Sequence, residues 1–488
     1  MSIDLGYIHE PLLQFGRDQH PDIRYGIMNF APFDVHEKRR PASIKLGIVG
    51  TPASVAGLNR WLEQCRSEVA AKVSTKKNLF PRFPGFSSES PFEAECILDR
   101  SLNCEIQPDD ITALGSNPGF NERVTCAVRL FLDALQNSAQ KKPDVLVCLM
   151  PLELLALLGE EDEGQGDDDA PALDFRAQRT KRRGRFNFHD MLKAKALPLG
   201  IPIQMVRPST FDRKSKAKEK DSFARSRSVQ DEATCAWNFF IAVYYKAGGF
   251  PWRLVRDASD WTTCFIGISF YEALDRSRLL TSLAQVFDER GHGLVVQGAR
   301  VEVDKEDRQA RLDFDGIYSL LKGALQNYRQ EHGNFPARVV VHKTSSFSVP
   351  EMGGTKKVLA ESGISRFDLL SMSGGWMRLA RKSYYPPLRG SFWQMDDKRT
   401  LLYTNGSVQL YEEYPGLYVP RTLLLNHDYY QTDKQQIAAE VLTLTKMNWN
   451  NSQITALEPI TLRAARQVGR IMKYAAAPDS ALNYRFFM

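Results

Sequence analysis

The sequence predicts an α/β fold in two parts, and three observations carry that prediction. Over the first half, short apolar runs alternate with stretches of helical spacing, the pattern of a sheet with helices on its faces. The second half opens with strands, crosses through a long amphipathic helix to another buried strand, and closes on two helices. A chain of 488 residues, 43% of them hydrophobic, has the length for two to four ordinary domains and the apolar content to build real cores.

In the first half, "SIKLGIVGT" at 43–51 reads as a strand running into a Gly/Thr/Pro turn, and "VAGLNRWLEQCRSEV" from Val55 has helical spacing. "ERVTCAVRLFLDALQ" from Glu122 is another helix and "DVLVCLMP" from Asp144 another buried strand. The alternation is Rossmann-like, but Gly47, Gly50 and Gly57 do not fit GxGxxG, which argues against a nicotinamide or flavin site. An insertion follows at about 159–185: seven carboxylates within 160–169 give way to Arg176, Arg179, Lys181, Arg182, Arg183 and Arg185. Its acidic half reads as a solvated segment.

Charge and cysteine usage narrow the class. A formal net charge of +6 permits an anionic partner without demanding one. Seven cysteines without a CxxC pair suit reduced core thiols in a reducing cytoplasm. The start lacks a signal-peptide pattern, and the longest apolar run, from Val145, is broken by Pro151 and Glu153, so neither a signal peptide nor a membrane span is expected.

After the insertion comes "FNFHDMLKAKALPLGIPIQMV", in which His189 and Lys193 lie four apart on one helical face and Gln204 follows on a strand. The helix "DEATCAWNFFIAVYYKAGGFPW" then places Lys246 just before Gly248 and Gly249. An imidazole, two ammoniums and an amide can all donate hydrogen bonds to phosphate oxygens. The set "HDMLKAKA…GIPIQ…YYKAGGFPW" resembles the guide 5′-end pocket of the MID domain of Argonaute proteins. The resemblance implies that His189, Lys193, Gln204 and Lys246 hold the terminal phosphate of a guide. It runs over essentially the whole chain, whose length matches a short prokaryotic Argonaute of MID and PIWI domains only. The implied division is an N-terminal segment at 1–40 packing on the PIWI lobe, a Rossmann-like MID domain at 41–252 and an RNase H-like PIWI domain at 253–488.

The second half supports that division on its own residues, although periodicity alone also allows other α/β sheets. "TTCFIGISFYEA" from Thr262 reads as a first strand, "GLVVQGARVEV" from Gly293 as a second, and "DGIYSLLKGALQNYRQEHG" from Asp315 as the crossover helix. "RVVVHKTSSF" from Arg338 is a buried strand ending in polar side chains; "FDLLSMSG", the hairpin-like "SFWQMDDKRTLLYTNG" and two late helices follow. An RNase H-type nuclease needs carboxylates holding two magnesium ions roughly 4 Å apart. At the positions the resemblance assigns to those acids stand Ser269, Thr344 and Ala476. A hydroxyl or methyl does not replace an anionic ligand for a hard cation, so a degenerate site without strand cleavage is expected, its "HKTSSF" residues contacting nucleic acid. Glu272 and Asp275 read as surface charges. The end "ALNYRFFM" is apolar where termini are usually polar; the resemblance implies that the Met488 carboxylate, with Gln204 near it, reaches a magnesium ion beside the guide phosphate.

The expected function is therefore that of a guide-binding sensor. It would hold a small 5′-phosphorylated guide RNA, pair it with complementary single-stranded DNA, and signal to an APAZ-containing effector carrying a TIR, sirtuin-like or, less often, nuclease domain. NAD depletion and abortive infection, and a higher oligomer on activation, belong to the same implication. The alternatives are a guided RNase H-like nuclease acting alone and a nucleotide-dependent enzyme built on the first half.

Overall fold

The computed structural model describes residues 4–158, 184–212, 230–256, 261–274, 279–287, 293–296, 301–303, 309–379, 386–412, 414, 419–475 and 482–488. They form two compact units: Phe15–Trp252 with Trp449–Ser452 and Met488, and Met1–Gln14 with Arg253–Asn448 and Gln453–Phe487.

The first-half unit is built on a parallel sheet whose order is Glu95–Ile97, Ser43–Gly50, Val145–Leu149, Ile203–Val206, with Cys104–Glu105 pairing the far end of Ser43–Gly50. Every residue of Val145–Leu149 is buried, which is why that strand reads as an unbroken apolar run. The helix Pro52–Gln64 starts where the sequence places a capping Thr51 ahead of Pro52. Helix Glu232–Lys246, capped by Asp231, is buried on nearly every side. Phe83 and Phe86 stack on Phe240, Phe86 at 4.6 Å between ring centroids, and Phe83 and Phe92 pack on Trp237 and on each other. That aromatic packing fixes the helix axis and hence the position of its last residue, Lys246.

The N-terminal segment divides differently from the expected 1–40. Only residues up to Gln14 group with the second-half unit; Phe15 onwards groups with the first. The cause is local bonding: the Asp34 carboxylate accepts from the Tyr244 hydroxyl at 2.6 Å and from the Phe250 N–H at 2.9 Å. Burial pushes that carboxyl up to about 6.

The second-half unit is built on a ten-stranded sheet. At its centre Thr263–Glu272, Arg338–Lys343 and Arg366–Gly374 run parallel, with Thr263 opposite Arg338 and Arg338 opposite Arg366. Helix Phe314–His332 makes the crossover, capped by Asp313 and closed by Gly333 in the left-handed region. Helix Ile460–Met472 crosses the first strand so closely that a Cβ on Gly267 would lie 2.2 Å from the Thr461 carbonyl oxygen; only glycine fits there. The hairpin Ser391–Gln394 to Arg399–Leu402 and the helices Lys434–Leu444 and Ile460–Met472 fall where the sequence indicates.

One strand assignment is corrected. The partner next to Thr263–Glu272 is Leu279–Phe287, not the run from Gly293. Gly293–Val296 is third in line, and Glu302–Val303 pairs instead with Ala310–Arg311. "LLTSLAQVF" has few β-branched residues, so its extended state follows from pairing on both edges rather than from composition. Among the described residues no helix is long and apolar enough to cross a membrane, and none of the seven cysteines is in a disulfide.

Candidate functional site

Two lysines anchor a pocket within the first-half unit. Lys193, in the last turn of helix Phe188–Ala196, is 3% exposed, and Lys246, ending helix Glu232–Lys246, is 2% exposed. The Lys246 ammonium donates to Gln204 Oε1 at 2.6 Å and to Asn450 Oδ1 at 3.5 Å. The Lys193 ammonium donates to the main-chain oxygen of Met488, itself buried. Gln204 is held in turn by an Nε2 bond to the Met205 carbonyl at 3.2 Å. Asn450 is carried in by Trp449, which stacks on Tyr245 at 4.9 Å and donates its indole N–H to the Trp252 carbonyl at 3.1 Å.

The electrostatics of this pocket favour an anion. Both acceptors of Lys246 are amide oxygens, and burial, followed by the Lys193 charge, holds its pKa well below the ordinary lysine value. A phosphate reaching this lysine supplies the missing negative charge and charge-assisted hydrogen bonds. Gln204 Oε1 and the Met488 oxygen, the two ligands expected for magnesium, each face a lysine ammonium. Oxygens of this kind suit a hard cation, and each is here engaged by an ammonium.

Of the four residues expected at the guide phosphate, Lys193, Gln204 and Lys246 are bound into this pocket as described. His189 lies on the same helix but is more exposed, with Nδ1 3.1 Å from Asp190 Oδ1. Asn450 was not foreseen: it meets Lys246 across 204 positions of sequence, and no periodicity in "KMNWNNSQ" marks it.

The strand end at Lys343 is built for a different purpose. Lys343 is fully buried, ion-paired with Glu351 and bonded to the Ser346 carbonyl at 3.1 Å, with the rings of Phe347 and Phe270 at 5.0 and 5.6 Å. Glu351 also accepts the N–H groups of Leu312 and Ser348 at 2.9 and 2.8 Å, the latter closing a capping box on helix Val349–Glu361. Ser345 donates to the Ala310 carbonyl at 2.6 Å, and Ser346 N–H and hydroxyl both reach Gln309 Oε1 at 2.9 Å. His342 is fully buried against the Thr461 hydroxyl at 2.8 Å, and burial lowers its pKa to about 3, so it is neutral. The expectation that these residues contact nucleic acid is therefore corrected for His342 and Lys343, whose side chains have no exposed surface.

Ser269 is 3% exposed on the first strand, opposite Ser282, and Thr344 is half-buried. Ala476 and Asp275 lie outside the described residues, as does the stretch from Arg213; Glu272 is exposed. Of the basic run at 179–185, Arg185 is described, its guanidinium 4.7 Å from the centre of the Phe120 ring. Among the described residues no group of three or more His, Cys, Asp or Glu side chains is placed to hold a metal ion.

No protein-family model and no curated protein matches this sequence. Among solved structures, the chain is similar to Clostridium butyricum Argonaute bound to a guide DNA with a 5′ deoxycytidine and a 19-mer target DNA. The superposition covers 100% of this chain with a TM-score of 0.67 at 15% sequence identity. The fold is Argonaute-like. The likeness takes in both units, while the chain spans only about half of that Argonaute, 55% of its length. At this identity the likeness bears on fold alone, and the roles of individual residues rest on the pocket chemistry above.

Proposed function

We propose that this protein is a guide-binding sensor: it holds the 5′-phosphate of a small guide RNA in the Lys193–Lys246 pocket and recognises complementary single-stranded DNA. The observation that carries the reading is Lys246, a fully buried ammonium met, among the described residues, only by amide oxygens. Burial of a cation with neutral partners is unfavourable unless an anion joins it. A terminal phosphate does so, with Lys193, Gln204 and Asn450 as neighbouring groups to orient it. In this reading Gln204 Oε1 and the Met488 oxygen would hold a magnesium ion together with phosphate oxygens, and the ion would supply positive charge to offset that of the phosphate. The Argonaute-like fold and the guide-bound and target-bound state of the solved neighbour support the choice of nucleic acid over a small anion.

The same reading makes the second-half unit a duplex-supporting body without strand cleavage, since Ser269 and Thr344 offer hydroxyls where a two-metal nuclease requires carboxylates. Output then comes from an APAZ-containing partner, with a TIR or sirtuin-like NAD-consuming domain, in immune defence. Target binding must stabilise the active partner arrangement more than the resting one. The test compares 5′-phosphorylated and 5′-hydroxyl guides on the purified protein, then follows NAD and target DNA together in the reconstituted pair. Strong preference for the phosphate, intact target and target-dependent NAD loss are expected. Equal binding of the two guides removes the pocket from the proposal, and target cut by this chain alone removes the sensor role.

A further inference from the structure

The second-half unit carries an aromatic side chain that its own packing does not use. Trp376 follows the central strand Arg366–Gly374 and is 69% exposed. Trp261, exposed by 55%, has the Arg366 guanidinium 5.1 Å from its ring centre; no such contact is made by Trp376 among the described residues. The segment beneath it is firmly held. Gly375 N–H donates to the Thr422 carbonyl at 2.7 Å, the Thr422 hydroxyl donates to the Met377 carbonyl at 3.2 Å, and Leu379 N–H donates to the Tyr403 hydroxyl at 2.5 Å. Thr422 and Tyr403 are themselves buried. Gly375 sits so close to Thr422 that a Cβ would fall 2.1 Å from its hydroxyl. The indole is thus presented on a rigid base.

Its neighbours are basic. Arg378, two residues on, is exposed, and the Arg421 guanidinium lies against Gly374, where a Cβ would be 3.3 Å from Nη1. The location is the carboxyl end of a strand that runs parallel to Arg338–Lys343 on one side and antiparallel to Leu423–Tyr429 on the other. An exposed indole with arginines two residues on and against Gly374 suits an unpaired nucleobase with its phosphate, because every base has a face to stack and every linkage a charge to pair.

We propose that Trp376 is a base-stacking residue for single-stranded nucleic acid, with Arg378 and Arg421 pairing the adjacent phosphates. The proposal rests on the nucleic-acid reading above but concerns a separate unit, so the two can fail separately. A partner protein is the competing occupant, and the flanking cations favour nucleic acid.

The test uses the full chain with a 5′-phosphorylated RNA and its complementary DNA. Trp376→Ala should weaken binding of one of the two strands roughly 10-fold or more, with Trp376→Phe retaining most of the affinity. The salt slope should stay unchanged in Trp376→Ala and fall by about 0.7 per lost contact in Arg378→Ala and Arg421→Ala. Placing 5-iodouracil in the guide in one arm and in the target in the other, then mapping the photo-crosslink to Trp376, distinguishes the two sources of the base. Undiminished binding of both strands by Trp376→Ala, in protein that still prefers a 5′-phosphate, overturns this proposal and leaves the pocket standing. Undiminished binding together with lost association of an effector protein overturns it in favour of a protein-docking role. Absence of any nucleic-acid binding by the native chain overturns both.

Discussion

Lys246 and Lys343 are both lysines without exposed surface, yet their surroundings differ in one respect. Lys343 lies against a fully buried carboxylate, Glu351, which is also tied to two backbone N–H groups. Lys246 lies against two amide oxygens and near a second lysine. Desolvation is the largest influence on both and lowers both pKa values, but Glu351 opposes it at Lys343 while Lys193 adds to it at Lys246. The first arrangement is complete within the fold and reads as structure. The second is completed by an anion from outside, which makes burial of a lysine informative only together with the charge of its partner.

Replacing the lysines of the pocket tests this contrast most strongly. Lys193→Ala with Lys246→Ala should lower affinity for a 5′-phosphorylated strand by about 10²- to 10⁴-fold, two charge-assisted hydrogen bonds at roughly 1.5 to 3 kcal/mol each. Thermal denaturation of the ligand-free protein should show a smaller loss of stability for Lys246→Met than for Glu351→Ala, because the Lys246 site lacks the opposing charge when empty. Equal losses would erase the distinction. The larger loss is expected at the strand end. Glu351→Ala leaves Lys343 as a buried unpaired charge and also removes the capping box, so a destabilisation of about 3 to 5 kcal/mol is expected from urea unfolding. A shift within ordinary surface-mutation range would place Lys343 beside Lys246 rather than opposite it.

Parts of this contrast were readable in the sequence. Glu351 was missed as the partner of Lys343, although "SVPE" carries the capping-box pattern in Ser348 and Glu351. The strands Val145–Leu149 and Arg338–Lys343 were legible because burial on both faces leaves an apolar run, and Ser43–Gly50 because the same holds from Leu46 onwards. Leu279–Phe287 was not, since its state is imposed by ladders on either side. In the pocket, residue type and spacing singled out Lys193, Gln204 and Lys246, but local pattern has no reach to Asn450. Nor does it separate His189, on the same helical face, from the buried Lys193: exposure on that face depends on what packs over each turn.

The finest test of the comparison is the proton. The Lys246 pKa in the folded, ligand-free protein lies below the unfolded value of 10.5. The folded state therefore binds fewer protons than the unfolded one between those two values, and stability from this group is fully present above 10.5 and lost as pH falls through the depressed folded pKa. A phosphate beside the ammonium favours the charged form and raises that pKa again. Above the depressed pKa, guide binding must then take up a proton at Lys246, and affinity must weaken as pH rises. Calorimetric titration of a 5′-phosphorylated guide in buffers of different ionisation heat counts the protons, and Lys246→Met should abolish the uptake assigned to this group. Lys343, already paired with Glu351, should contribute none, so Lys343→Met should leave the proton count of guide binding unchanged. Equal uptake by the native protein and Lys246→Met would mean that the anion does not complete Lys246, and the two lysines would no longer differ in kind.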